Sequence, residues 1–211
     1  DSYTRYIAPY VDNWNVTITS GKCYYYKDFA GSNIRLICLD CMHDTEDQGT
    51  WLENALSGAL TNGYDVIIAN HVQPAEKPNF IPLETPWHNE VVYETLSEGT
   101  NYPQWTQSRY TDAVDQFISN GGKVVCWLSG HRHYDVCGTW QNVLCMSVTT
   151  AGDTRDTRCY ESRIDGTITQ DAFNIISVDT IYKIVKVMRI GQNYSVGLQR
   201  IDTMCWDYAN H

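Results

Sequence analysis

The 211-residue chain contains no run of 18 apolar residues and no tract rich in proline, glycine or serine. The first absence argues against a transmembrane helix, which needs about 20 mostly apolar residues. The second argues against a linker between separate domains. Because 43% of the residues are hydrophobic, the chain is long enough to bury a core. We therefore expect one globular domain over residues 1–211, with no membrane as a partner.

Basic residues are scarce. Fifteen Lys and Arg stand against 25 Asp and Glu, for a formal net charge of -10 at pH 7. Affinity for a polyanion depends mainly on Lys and Arg that neutralise phosphates, so the charge predicts no nucleic-acid partner.

Eight cysteines form an even set, as in disulfide-bonded secreted proteins, but a chain of this length does not need disulfides for a stable core. Cys38 and Cys126 lie in apolar, strand-like runs, where a thiol behaves as a small hydrophobic group. The closely spaced pair of Cys38 and Cys41 lacks the second pair of a zinc site. We expect reduced thiols. The sequence does not determine the cellular location, and we favour the cytoplasm.

Short apolar runs bounded by Asp, Gly or Asn predict five strands, and apolar residues at helical spacing predict two helices. The strands are residues 34–39, 66–69, 124–128, 143–148 and 173–178. One helix covers residues 51–60 behind an acidic start at 46–47 and ends near Asn62-Gly63, and the other covers 110–118 and ends at Asn120-Gly121-Gly122. The alternation of strands and helices predicts an α/β fold.

Two antiparallel pairings are also predicted. Residues 23–29 pair with 34–39 across a turn at 30–32, and residues 173–178 pair with 181–190 through Asp179-Thr180. Residues 71–106 show little periodicity beyond a short helix at 91–96, which is typical of a functional loop.

Three histidines directly follow predicted strands. His71 ends the run Asp-Val-Ile-Ile-Ala-Asn-His, and His131 and His133 stand two residues apart after the strand at 124–128. Loops after the carboxyl ends of parallel strands bind ligands in open α/β sheets, and imidazole is a common ligand of transition metals. The pattern indicates a metal site made of these three residues. A structural, hydrogen-bonded role is our interpretation of His43, His88 and His211.

Gly130-His131-Arg132-His133 after a Val-rich strand, with a strand ending in Asn70-His71 further upstream, resembles the last two metal-binding blocks of the calcineurin-like metallophosphoesterases. The resemblance extends over residues 24–191. It implies part of that family's four-layer α/β/β/α sandwich, with mixed sheets flanked by helices.

The same resemblance implies divalent manganese, iron or zinc ions as cofactors and a phosphate ester as substrate. In the family, an Asp and a hydroxide bridge two ions, and the hydroxide attacks phosphorus in line. His71 and His131 would bind one ion, and His133 would bind the other.

The chain departs from the family in its earlier blocks. An Asp-x-His, a Gly-Asp-x-x-Asp before the histidines and a Gly-Asn-His are all absent. We therefore identify no catalytic residue and expect an N-terminally truncated, C-terminal portion of the domain. A Gly-Asp-x-x-Asp at residues 152–156 comes too late in the order, and we interpret it as a loop. Candidate substrate-binding residues are Asn70 and, in this loop, Arg155.

Two other interpretations stay open. The chain could be an inactive remnant that holds at most one weakly bound ion, since three imidazoles can bind a zinc ion, whereas two ions need bridging anions to offset their repulsion. It could also be an interaction module. An incomplete sheet exposes edges and apolar faces, so we expect either self-association or a missing N-terminal segment to cover them.

Overall fold

The computed structural model describes residues 16–18, 21–40, 46–71, 81–82, 105–130, 136–147, 164–191 and 201–209. The chain forms two compact units, unit 1 with residues 1–71 and 99–127 and unit 2 with residues 72–98 and 128–211. In chain order the elements are β1 (Thr17–Ile18), β2 (Tyr25–Phe29), β3 (Ile34–Cys38), α1 (Glu46–Asn62), β4 (Asp65–Ala69), β5 (Ile81–Pro82), α2 (Trp105–Ser119), β6 (Val124–Ser129), β7 (Val136–Trp140), β8 (Val143–Ser147), β9 (Ala172–Asp179), β10 (Ile184–Gly191) and β11 (Ile201–Asp207).

Unit 1 contains a mixed sheet with the strand order β1-β2-β3-β4-β6. The first three strands are antiparallel, and β3 is parallel to β4. The Asp65 amide donates to the Asn33 carbonyl at 2.9 Å, and the Val66 amide donates to the Lys123 carbonyl at 2.8 Å. The starts of β3, β4 and β6 are thus joined, so β6 runs in the same direction as β4. This arrangement confirms the predicted α/β fold class and the pairing of residues 23–29 with 34–39.

Both helices end where their Asn-Gly sequences predict. At the end of α1, Gly63 has a φ of 70°, and the amides of Gly63 and Tyr64 donate to the carbonyls of Leu60 and Ala59. At the end of α2, Gly121 has a φ of 89° and the same pattern of bonds follows. A left-handed residue after the last turn allows these bonds, and glycine adopts it without steric cost. The second helix begins five residues earlier than predicted, at Trp105.

The two helices cover one face of the sheet. Each of them connects neighbouring parallel strands, and such crossovers are right-handed, so successive steps in one direction place both helices on the same side. A bond of 3.1 Å from Arg109 Nη2 to Thr50 Oγ1 joins the helices. The core beneath them consists of fully buried or nearly buried side chains: Ile37, Leu52, Ala55, Leu56, Ala59, Val66, Ile68, Tyr110, Val114 and Phe117.

Arg35 crosses this core. Its guanidinium is buried and forms a two-bond ion pair with Asp28, at 2.6 and 2.7 Å, while Nη1 donates to the Ala55 carbonyl at 2.6 Å. The ring of Tyr26 lies 3.8 Å away. Burial alone would lower the pKa of Arg35, but the hydrogen bond and the charge of Asp28 raise it above its ordinary value. The residue therefore stays charged and ties β2 and β3 to α1.

Unit 2 contains two groups of strands. In the first, β7 and β8 form a hairpin whose two loop residues, Gln141 and Asn142, have φ values of 51° and 60°, as expected of a type I′ turn. The short β5 pairs with β7, and the hydroxyl of Ser129 donates to the Met146 carbonyl at 2.9 Å.

The second group is an antiparallel sheet with the order β11-β10-β9. This sheet confirms the predicted pairing of residues 173–178 with the strand that follows. That second strand, β10, begins at Ile184 rather than at residue 181. The Asp179 carboxylate accepts bonds from the amides of Ile181 and Tyr182, and Lys183 has a φ of 57°. A four-residue turn therefore replaces the predicted tight turn. The sequence pattern missed β7 and β11, and also the two-residue strands β1 and β5.

The predicted helix at residues 91–96 lies outside the described residues. In the part of the chain that the structure describes, neither helix is long and apolar enough to span a membrane. Among the same residues, five cysteines take part in no disulfide: Cys23, Cys38, Cys126, Cys145 and Cys205.

Candidate metal centre

The carboxyl end of β4 presents the first predicted ligand. His71 lies two residues beyond Ala69, at a bend, and its side chain is exposed. The Leu39 amide donates to the Ala69 carbonyl at 2.9 Å, so β3 and β4 stay paired up to this point. His71 is therefore accessible at the sheet edge where parallel strands end, which is where α/β folds place ligands.

The other predicted residues are not described. His131, His133 and Arg155 lie outside the described ranges, although the described chain reaches Gly130 after β6 ends at Ser129. Within those ranges, no three His, Cys, Asp or Glu side chains are grouped closely enough to hold a metal ion. The convergence of the three histidines stays a prediction.

Asn70 precedes His71 and differs from it in burial. Its side chain is only 7% exposed, and its Oδ1 is a buried atom with no hydrogen-bond partner in the structure that is described. A buried acceptor without a donor costs about 1–3 kcal/mol, and such groups are uncommon unless a water, an ion or a ligand satisfies them. Position and burial together make Asn70 part of the candidate site.

Gln48 holds the neighbouring strand end in place. Its side chain is fully buried; Oε1 accepts the Asp40 amide at 2.8 Å, and Nε2 donates to the Asp40 carbonyl at 2.9 Å. Nε2 also donates to the hydroxyl of Tyr110 on α2. The loop after β3 is thereby attached to both helices. No periodicity singles out this glutamine in the sequence, and only its place in the first turns of α1 could have suggested it.

The thiols near this edge are poorly suited to nucleophilic catalysis or metal binding. Burial raises the pKa of Cys38, with a hydrogen bond from Tyr25 acting in the opposite direction. Burial and then the charge of Asp40 raise the pKa of Cys23. Both groups are therefore protonated near neutral pH, and a thiol is a weak nucleophile and a weak metal ligand compared with a thiolate. This argues against catalysis or zinc binding by either cysteine.

No protein-family model matches the chain, and no curated protein sequence matches it. Its fold is similar to the crystal structure of a dimetal phosphatase from Danio rerio, with a TM-score of 0.52 and 13% sequence identity. The match covers 88% of this chain and 60% of the phosphatase chain. At this identity the similarity shows the fold alone, and the chain spans less than two thirds of the phosphatase's length.

The donors at the described edge are compatible with a divalent ion. An exposed imidazole and a buried, unsatisfied amide carbonyl stand on consecutive residues, His71 and Asn70. Imidazole nitrogen suits zinc and iron, and a carbonyl oxygen suits manganese. A pair of ions would need further anionic ligands to offset their mutual repulsion.

Proposed function

We propose that this chain is the C-terminal part of a metal-dependent phosphoesterase that hydrolyses phosphomonoesters or phosphodiesters. The observation that carries the proposal is an exposed histidine, His71, two residues beyond a strand of a parallel pair, in a fold similar to that of a dimetal phosphatase. The finer proposal for the fold is part of a four-layer α/β/β/α sandwich.

In this proposal the three histidines share the metal binding. His71 and His131 hold one divalent ion and His133 contributes to a second, with manganese, iron or zinc as the candidates. Neutral imidazole is the form that binds, so metal affinity weakens as the pH falls below the pKa of the ligands. The second ion needs carboxylate ligands that the two matching sequence blocks do not supply. The chain alone therefore holds one ion more readily than two.

A bound divalent ion would lower the pKa of a coordinated water and neutralise charge on the phosphoryl oxygens. The chain has a formal net charge of -10, which repels a negatively charged phosphate ester. A bound divalent ion would make the local potential at the site positive and so attract the ester. Arg155 is the candidate for phosphate contact, since a guanidinium binds phosphate through two parallel hydrogen bonds. Asn70 can contribute its Nδ2, which is a donor.

A second proposal, self-association, is supported by one face of the three-stranded sheet. Phe173 and Ile175 on β9 are 48% and 45% exposed, and the strand register places Ile184 and Met188 of β10 on the same face. Lys186 lies on this face, and aspartates flank Ile184 at one end. A face with an apolar centre and charges of both signs can pair with its counterpart in a second copy of the chain.

Hydrolysis by the purified chain tests the phosphoesterase proposal. After treatment with a chelator, the chain is assayed with para-nitrophenyl phosphate and bis-para-nitrophenyl phosphate, with and without added Mn²⁺. We expect turnover that depends on Mn²⁺ and is lost in His131→Ala and His133→Ala but retained in His211→Ala. Metal binding without turnover would instead support an inactive remnant of the fold.

A further inference from the structure

Two rows of exposed side chains, one acidic and one basic, cross one face of the sheet formed by β11, β10 and β9. The strand register aligns the acidic row as Asp179, Ile184 and Asp207. The basic row lies two residues further along each strand and consists of Ser177, Lys186 and Cys205. All six residues are exposed. Opposite charges therefore follow one another along the strands of this face.

A turn beside the acidic row presents two large apolar side chains. Ile181 and Tyr182 are 85% and 72% exposed. The turn that carries them is fixed, because the Asp179 carboxylate accepts bonds from both of their amides. The Tyr208 amide also donates to the Lys183 carbonyl at 2.8 Å. Side chains on a fixed turn lose little conformational freedom when they are covered, and large ones in such places carry much of the energy of an interface.

The charge rows favour one arrangement of two copies of this face. A twofold axis parallel to the strands places each row on its own counterpart, so that Lys186 faces Lys186 and Asp179 faces Asp207. Like charges in direct opposition are unfavourable. A twofold axis across the strands, between the two rows, places the acidic row of each copy on the basic row of the other. Lys186 of one copy then lies over Ile184 of the second, between two aspartates.

We propose that the chain forms a symmetric dimer through this face, with antiparallel strands, in which Lys186 of each copy pairs with Asp179 and Asp207 of the other. In this arrangement the turn of one copy covers Ile175 and Met188 of the second, which stand in the row after the basic row. The inference rests on the self-association proposed above and gives it an orientation.

The size of the face makes the dimer reversible. The two longest strands have eight residues each. With a rise of about 3.4 Å per residue and strands about 4.8 Å apart, the face covers a few hundred Å². Standard stable interfaces bury about 800 Å² on each side. Association should therefore depend on the concentration of the chain.

Exchange of charges between the two rows tests the proposal. Sedimentation equilibrium of the full chain in a reducing agent compares the wild type, Lys186→Glu, Asp207→Lys and an equimolar mixture of the two variants. In the mixture, the introduced carboxylate of one copy faces the introduced ammonium of the other, and the native pair is kept at the symmetric position. Asp112→Lys, at an exposed position on α2, is the control for net charge.

We expect Lys186→Glu to raise the dissociation constant of the dimer about tenfold or more, because like charges then face each other at two symmetric places. Asp207→Lys should weaken the dimer less, since Asp179 still faces Lys186. The mixture should associate more tightly than either variant alone, and high salt should reduce this gain. Asp112→Lys should associate like the wild type.

A mixture that associates no more tightly than its two components would overturn the inference, while a dimeric wild type would leave self-association standing. Failure of self-association gives a different result. A wild type that stays monomeric at every concentration would overturn both, and a different protein would then be the occupant of the face.

Discussion

The side-chain amide of Gln48 bonds to both backbone groups of Asp40, accepting its N–H at 2.8 Å and donating to its carbonyl at 2.9 Å. β3 has ended at this point, and the two bonds from the buried Gln48 side chain replace those that a neighbouring strand would form with the Asp40 backbone. This side chain joins the loop after β3 to α1, and the bond to Tyr110 extends the connection to α2. The loop after β3, beside the strand end that carries His71, is therefore held by one glutamine.

Gln48→Leu should lower the free energy of unfolding by about 3 kcal/mol, because it removes two hydrogen bonds to the half-buried backbone of Asp40 and a third to the hydroxyl of Tyr110. Urea denaturation measures the change, and Gln116→Leu is the matched control, since Gln116 is an exposed glutamine on α2. A loss no larger than that of the control would show that water satisfies Asp40 as well as Gln48 does.

The stability of the protein should fall in alkaline solution because of Cys126. Complete burial raises the pKa of this thiol from 9.0 to about 12, whereas the thiol of the unfolded chain ionises near its ordinary value. A group with a raised pKa in the folded state contributes stability that is present below pH 9 and is lost as the pH rises toward 12. The contribution is about 4 kcal/mol at most, at 1.36 kcal/mol for each pH unit.

Urea denaturation between pH 8 and pH 11 tests this expectation in the wild type and in Cys126→Val. The variant should lose less stability over this range. Part of the slope should remain, because burial also raises the pKa values of Cys38 and Tyr25. Cys205→Val, at an exposed position, is the control and should follow the wild type. Equal slopes in all three proteins would contradict the assignment.

The exposed apolar face of β9 and β10 should cause concentration-dependent self-association. Replacing both Phe173 and Ile175 by lysine removes apolar area and adds like charges to the face, so the double variant should sediment as a monomer. Ser177→Lys adds a charge to the same face of β9 without removing apolar area and should weaken association less. A wild-type chain that stays monomeric over a hundredfold range of concentration would refute this proposal.

Local chemistry made much of unit 1 predictable. The ends of both helices follow from Asn-Gly sequences, and the runs around Ile34 and Val66 read as buried strands because parallel strands covered by helices are apolar throughout. The strands β7 and β11 were missed because neither is a continuous apolar run: Gly138 and Thr139 interrupt β7, and Asp202 and Thr203 interrupt β11. In the turn after β9, the Asp179 carboxylate accepts bonds from two backbone amides. Hydrophobic periodicity does not predict a turn of this kind.

The candidate site was predictable in part. A strand followed by Asn70-His71 is visible in the sequence, and the structure places it at the carboxyl end of β4. The burial of Asn70 and the role of Gln48 depend on packing between distant segments, since Gln48 and Tyr110 are 62 residues apart. Short-range patterns do not contain this information.

In the proposed metal centre, His71 and His131 bind one divalent ion and His133 contributes to a second. Isothermal titration of the chelator-treated chain with Mn²⁺ or Zn²⁺ tests it most directly, using alanine variants of the three histidines and His211→Ala as the control. We expect saturable binding of at least one ion, weakened strongly and similarly by His71→Ala and His131→Ala and unchanged in the control. Binding that is absent from the wild type, or that persists unchanged in all three variants, would contradict it.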